Sequence, residues 1–511
     1  MMVMAKKFRR GWLFILIALL SCTSAKSPGL SEDELRAYLD QKEGVYEEIS
    51  VQMGLATWAY YTGEGSADLK APREKFQKLI ADEYLNRVVN HAKTVTKTFS
   101  DPVLQRRLQV WHRVLTIARV SLDPDALLMQ ERLEAWLKPG GGEQAQPSPE
   151  EIEKTSMDLI KRRNAMARAL GFPDFPTLIY EETELGAQWF DHFVKTVETI
   201  TREPYRRLIG KIKEEKGGGP IALSDIRTLL KGYYADEISE ELDKADQKNV
   251  NEAIINGIGI RFSDLPIRIV EKKMPEGIGG QGFAIRIPTD MRIVVQPGLK
   301  PADLTHEYGH ALQYALTRVR FPILKGYEWL RGVECDAYAE GMAQTLAAFQ
   351  KSPAWISSQT KLSEEEIVSR QKKQDTYAPA FLRYELLYFL FEIELYRNAD
   401  QSPREVLNRL QKELLLVEDV SDKPVSLEYH FIFATYPVYV QSYLLADVIA
   451  WQVHQVLKAK FGAAYPLNPQ VGPFLEESFW KNGSLEDWQA KLKKATGREL
   501  DVPGYLKSLG L

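Results

Sequence analysis

The chain has 511 residues and only two cysteines, Cys22 and Cys335, so no framework of disulfides holds it together. Its stability must come from a buried core, which a chain of this length can supply. Charge of one sign is also missing. A net charge of −4 from 66 basic and 70 acidic residues argues against nucleic-acid binding and against a polybasic membrane patch. Histidine is scarce at seven residues, so a close pair of them carries information. No internal repeat is apparent.

The one distinctive terminal feature is at the start. Lys6, Lys7, Arg9 and Arg10 precede a short apolar run from Trp12 to Leu20, which ends in Leu-Leu-Ser-Cys at Cys22. The run is too short to span a membrane and fits an export signal. The pattern resembles a bacterial lipoprotein signal. That resemblance implies that residues 1–21 are removed, that Cys22 is lipidated and that residues 22–30 form a tether. It also implies an exported protein held at the membrane of the bacterial cell envelope. A lipidated Cys22 leaves Cys335 with no intramolecular partner.

What is present in quantity is helix-start chemistry. Ser31 to Glu34, Ser148 to Glu151, Ser363 to Glu366 and Ser402 to Glu405 all have capping-box form. Apolar residues recur at helical spacing, as at Leu407, Leu410, Leu414 and Leu415. The chain reads as mostly α, with 31–511 as one domain. Gly- and Pro-containing loops at 139–149 and 217–220 are too short to demand further domains. One stretch reads as β: Phe283 to Ile287 and Met291 to Gln296, flanking Pro288-Thr289-Asp290. A helix then opens at Pro301.

That helix carries His306-Glu307-Tyr308-Gly309-His310, the H-E-x-x-H pattern. Positions i and i+4 share a helix face, so both imidazoles reach one metal ion, with Glu307 beside them. Zn2+ suits two imidazoles, a third protein ligand and an open position for water. Glu307 is then the general base in hydrolysis. The third ligand must come from elsewhere, because Gln313 and Leu316 replace the glycine and last histidine of the extended motif. Glu328, Glu334 and Glu340 are the candidates. Glu334 begins an apparent helical run, and Glu340 lies roughly 240° further round it, so the two cannot share a metal.

The segment from Asp290 to Tyr314 resembles the angiotensin-converting-enzyme family of zinc peptidases and, more loosely, the thimet oligopeptidase family. The resemblance implies a two-lobed, helical gluzincin fold with a deep cleft and a small sheet beside the motif helix. It also implies a glutamate ligand about 28 residues beyond the first histidine, which selects Glu334. The late segment from His430 to Tyr443 is similar to one in which a histidine and a tyrosine stabilise the oxyanion. Those roles map to His430 and Tyr439, with Tyr436 touching substrate. Gly280, Gln281 and Gly282 fall where the family's edge strand pairs with substrate backbone. Ala56 to Gly63 resembles an early helix of the same family.

The departures concern specificity. Glu428 stands where the family has a lysine that grips a C-terminal carboxylate. Val438 replaces an arginine tied to chloride. Tyr338 replaces the carboxylate four residues after the third ligand, and the gap from His430 to Tyr436 is one residue short. The expectation is a zinc peptidase acting on short peptides, as an oligopeptidase or a peptidyl-dipeptidase. The alternative is an inactive surface lipoprotein that binds peptides with the same fold.

Overall fold

The computed structural model describes residues 30–95, 98–137, 147–234, 238, 242, 247–274, 279–421 and 423–511. The export signal and Cys22 lie outside them. Among the described residues, no helix is long and apolar enough to cross a membrane.

Among the described residues the fold is helical with one small sheet. The helices that build the site are α1 (Glu32–Thr62), α2 (Pro124–Leu137), α3 (Pro149–Ala169), α4 (Pro301–Ala315), α5 (Asp336–Ala347), α6 (Ala378–Arg397), α7 (Leu427–Thr435) and α8 (Gln441–Phe461). Capping starts them as the sequence implies, though unevenly. Ser31 and Ser363 form complete capping boxes, and Ser148 accepts from Glu151 N–H alone. Ser402 makes no side-chain cap, although its helix forms.

The expected hairpin is β2 (Gly280–Arg286) paired antiparallel with β3 (Asp290–Val295). A third strand, β1 (Ile267–Glu271), pairs parallel with β3, giving the order β1-β3-β2. Its sequence, Ile-Arg-Ile-Val-Glu, is too short to distinguish from a helix turn by periodicity.

The sheet is covered on both faces, and its alternation shows how. Phe283, Ile285 and Val294 pack with Val51 and Trp58 of α1. Ala284, Met291, Ile293 and Val295 join the main core, which also takes in Leu304, Tyr308 and Leu312 of α4. Successive residues point to opposite faces, so the sheet lies between the first helix and the motif helix. β2 is an edge strand running beside α4.

Candidate metal centre

His306, Glu307 and His310 lie on α4 as the motif implies. The two imidazole centroids are 4.9 Å apart. The partner helix is α5, and Gly309 lets it approach. A Cβ at position 309 would fall 2.6 Å from the Cα of Ala343. This contact brings Glu340, three residues before Ala343, opposite both imidazoles.

The ligand atoms of His306, His310 and Glu340 all lie within 4.8 Å of one another. Glu340 Oε2 is 3.2 Å from His306 Nε2 and 3.8 Å from His310 Nε2. It is buried and makes no hydrogen bond. Its other oxygen accepts from the Tyr439 phenol at 2.5 Å. Oε2 pairs with His306 when that imidazole is protonated, and a cation bound among the three groups would take the place of that proton. The donor set therefore fits a divalent metal that accepts nitrogen and oxygen.

The surroundings orient these groups. His306 Nδ1 faces Gln344 Oε1 at 3.4 Å, and Gln344 Nε2 donates to Asp447 on α8 at 2.9 Å. That contact directs His306 Nε2 toward Glu340. Burial works against protonating His306, but Glu340 and Glu307 outweigh it and hold its pKa at about 9. Burial takes His310 down to about 4. For Glu340, burial is outweighed by His306 and His310, which hold its carboxyl far below the usual range. Glu307 is pushed up to about 7 by burial, partly offset by His306. Its Oε2 accepts from Gly282 N–H at 2.5 Å, so the edge strand holds the candidate base. A Cβ on Gly282 would lie 3.3 Å from the same oxygen, which leaves little room for a side chain.

Two expected site residues fall elsewhere. Glu334 is not in the cluster. α5 begins only at Asp336, so Glu334 precedes the helix. Its Oε2 accepts from Gln313 Nε2 at 2.7 Å, near the C-terminal end of α4 and beyond His310. Burial raises it to about 7 against the opposing charge of Lys491. Glu340 takes the place expected for Glu334. This change of register moves the departure to another residue, where an amide stands in place of the expected carboxylate. The residue four after Glu340 is Gln344, which contacts His306, whereas Tyr338 is a core residue donating to the Phe479 carbonyl at 2.7 Å.

His430 is the second correction. It is 2% exposed on α7, and its Nδ1 pairs with Ser156 Oγ of α3 at 3.0 Å. Packing of α7 on α2 and α3 turns it into the core, where it cannot touch substrate as the structure stands.

Tyr439 does join the site, through Glu340. The Tyr436 ring lies 5.8 Å from that of Tyr439, and Tyr436 is 40% exposed. Its phenol is raised by burial and by Glu134, Glu328, Glu340 and Glu307, so it stays protonated at neutral pH. Glu328, exposed on the loop after α4, faces the same group. Gly280, Gln281 and Gly282 lie on the edge strand, as expected. Sequence reasoning missed Gln344 and Asp447. Gln344 follows from helical spacing once Glu340 is chosen, whereas nothing in the sequence links Asp447 to the motif.

Residues 302–511 match the profile described as Peptidase family M3. Oligopeptidase A of Salmonella typhimurium is 26% identical over 220 residues, which are 41% of this chain and 31% of that protein. The matched stretch thus spans less than a third of that relative. Two solved structures share the fold over nearly their whole length. The Pyrococcus furiosus carboxypeptidase has a TM-score of 0.66 at 15% identity, covering 94% of this chain and 99% of its own. Metallocarboxypeptidase 1 of Trypanosoma cruzi has a TM-score of 0.62 at 13% identity, covering 93% and 99%. These similarities support the oligopeptidase side of the resemblance, not the converting-enzyme side. The chain has the helical fold of gluzincin-type metallopeptidases, and the part of it that carries the His306, His310 and Glu340 cluster matches Peptidase family M3.

Proposed function

We propose that the protein is a zinc peptidase that hydrolyses internal bonds of short peptides, with His306, His310 and Glu340 as zinc ligands. The observation that carries the reading is the convergence of the buried Glu340 Oε2 on two imidazole nitrogens, at 3.2 and 3.8 Å. Zinc held there would supply Lewis acidity for the scissile carbonyl and for a water molecule beside it. The protein's own groups do the rest. Glu307, near neutral in its pKa and held by Gly282 N–H, takes the proton of the attacking water and passes it to the leaving amine. Tyr436 supplies a protonated donor for the developing oxyanion. Tyr439 holds Glu340 in place. The free edge of β2 offers backbone groups to an extended peptide.

Internal cleavage is favoured over removal of C-terminal residues because the segment that carries the cluster matches Peptidase family M3 and an oligopeptidase, and because the β2 edge offers backbone groups that need no chain terminus. The alternative of an inactive peptide binder rests on the departures at Tyr338 and Glu428; with Glu340 as ligand, Gln344 orients His306 in place of the residue expected at Tyr338, while Glu428 is unchanged.

The test is Glu307→Gln. The variant should bind zinc like the parent and lose cleavage of a mixed peptide library by about 100-fold or more. Cleavage at the parent rate would refute the mechanism. Cleavage only at the last one or two bonds by the parent protein would refute the internal specificity. We further propose, from residues 1–22 alone, that the protein is exported and anchored through Cys22.

A further inference from the structure

The link between α7 and α8 contains a residue in a conformation that its side chain disfavours. Val438 has φ +53. Left-handed backbone at a β-branched residue is rare and persists only where the surroundings enforce it. Val438 is 0% exposed, and side chains grip the backbone around it. Its N–H donates to both carboxylate oxygens of Glu392 on α6, at 2.9 and 3.0 Å. Its carbonyl accepts from Arg331 Nη2 at 2.5 Å and Gln441 Nε2 at 2.8 Å. The carbonyl of Pro437 accepts from Arg331 Nη1 at 2.6 Å. Arg331 is anchored in turn by Asp336, Nε to Oδ2 2.8 Å, in the first turn of α5.

The next residue is Tyr439, whose phenol meets Glu340 four residues beyond Asp336 on the same helix. The clamp therefore ties the tyrosine to the helix that carries the carboxylate. Were Val438 to relax to negative φ, the chain after it would swing and take the phenol off Glu340.

We infer that Arg331 and Glu392 are positioning residues, which hold Val438 in the left-handed conformation and so aim Tyr439 at Glu340. The consequence for catalysis rests on the peptidase reading above, but the clamp itself does not.

Two measurements on the full chain test this. In the first, 3-fluorotyrosine is placed at position 439 and its fluorine resonance is read in metal-free protein. Glu392→Ala should move the resonance to the position seen in Glu340→Ala, and Glu392→Gln should move it part of the way. Adding Val438→Gly to Glu392→Ala should bring it back toward the parent, because glycine adopts the left-handed conformation without a clamp. A parent-like resonance in both Glu392 variants, with only a lowered melting temperature, would overturn the inference. Should Glu392→Ala fail to fold, Glu392→Gln and Arg331→Lys give the same reading.

In the second, kinetics are compared in a double-mutant cycle. Glu392→Ala should lower kcat about tenfold with KM within about twofold, and should add nothing once Tyr439→Phe is present. Additive losses would overturn the positioning role. A parent protein that cleaves no peptide refutes the peptidase reading and leaves the fluorine measurement to decide the clamp.

Discussion

Replacing Gly309 by alanine tests whether close helix approach builds the metal centre. The new Cβ would lie 2.6 Å from Ala343 Cα, 2.7 Å from its carbonyl oxygen and 3.0 Å from its carbonyl carbon. Carbon atoms rest at about 3.5–4.0 Å, so α5 must withdraw by about 1 Å. All three contacts are backbone, so no side chain can turn away to relieve them. Overpacking of this kind costs about 1–3 kcal/mol. Metal ligands tolerate only about 0.2 Å of displacement, and Glu340 moves with α5 while both histidines stay on α4. Zinc affinity should therefore fall by about 10–100-fold. The assay is competition for zinc against a chromophoric chelator, with the urea midpoint of the metal-free protein read in parallel. Gly44→Ala on α1 is the control, because nothing lies within 4 Å of its added Cβ. There alanine should stabilise by about 0.5–1 kcal/mol through helix propensity. Zinc binding by Gly309→Ala within about twofold of the parent would refute the reasoning.

Other outcomes follow from the same geometry. Glu340→Ala should lose zinc in metal analysis, while Glu334→Ala should keep it and melt at lower temperature, because it strips a half-buried hydrogen bond from Gln313. The opposite result would restore Glu334 as the ligand. His430 is held near pKa 4 by burial, below its unfolded value of about 6.5. Its neutral form favours the folded state, so its contribution is full above about pH 6.5 and is lost as pH falls toward 4. That amounts to about 3 kcal/mol at most. The urea midpoint should therefore drop over this range less steeply in His430→Gln, and an unchanged pH slope would refute the assignment. Cys22→Ala should abolish incorporation of labelled palmitate when the chain is expressed in a bacterium; retained label would refute the anchor.

Local patterns carried much of this protein. Two histidines at i and i+4 share a face in any α-helix, so His306, Glu307 and His310 were legible as a metal half-site before any fold was known. The serine caps at Ser31 and Ser363 and the alternation of β2 and β3 were legible for the same reason, since each depends on neighbours a few residues away. The third ligand was not. Glu334 and Glu340 are both glutamates near the start of a helical run, and only the resemblance to the converting-enzyme family selects the first. Where α5 begins, how closely Gly309 lets it approach and which way α7 turns His430 are decided by packing between distant segments. Tertiary structure alone therefore put Glu340 opposite the imidazoles, buried His430 against Ser156 and closed Arg331 and Glu392 on Val438. A sequence fixes what one helix face presents, but contacts between faces far apart in the chain depend on how all of them share one core.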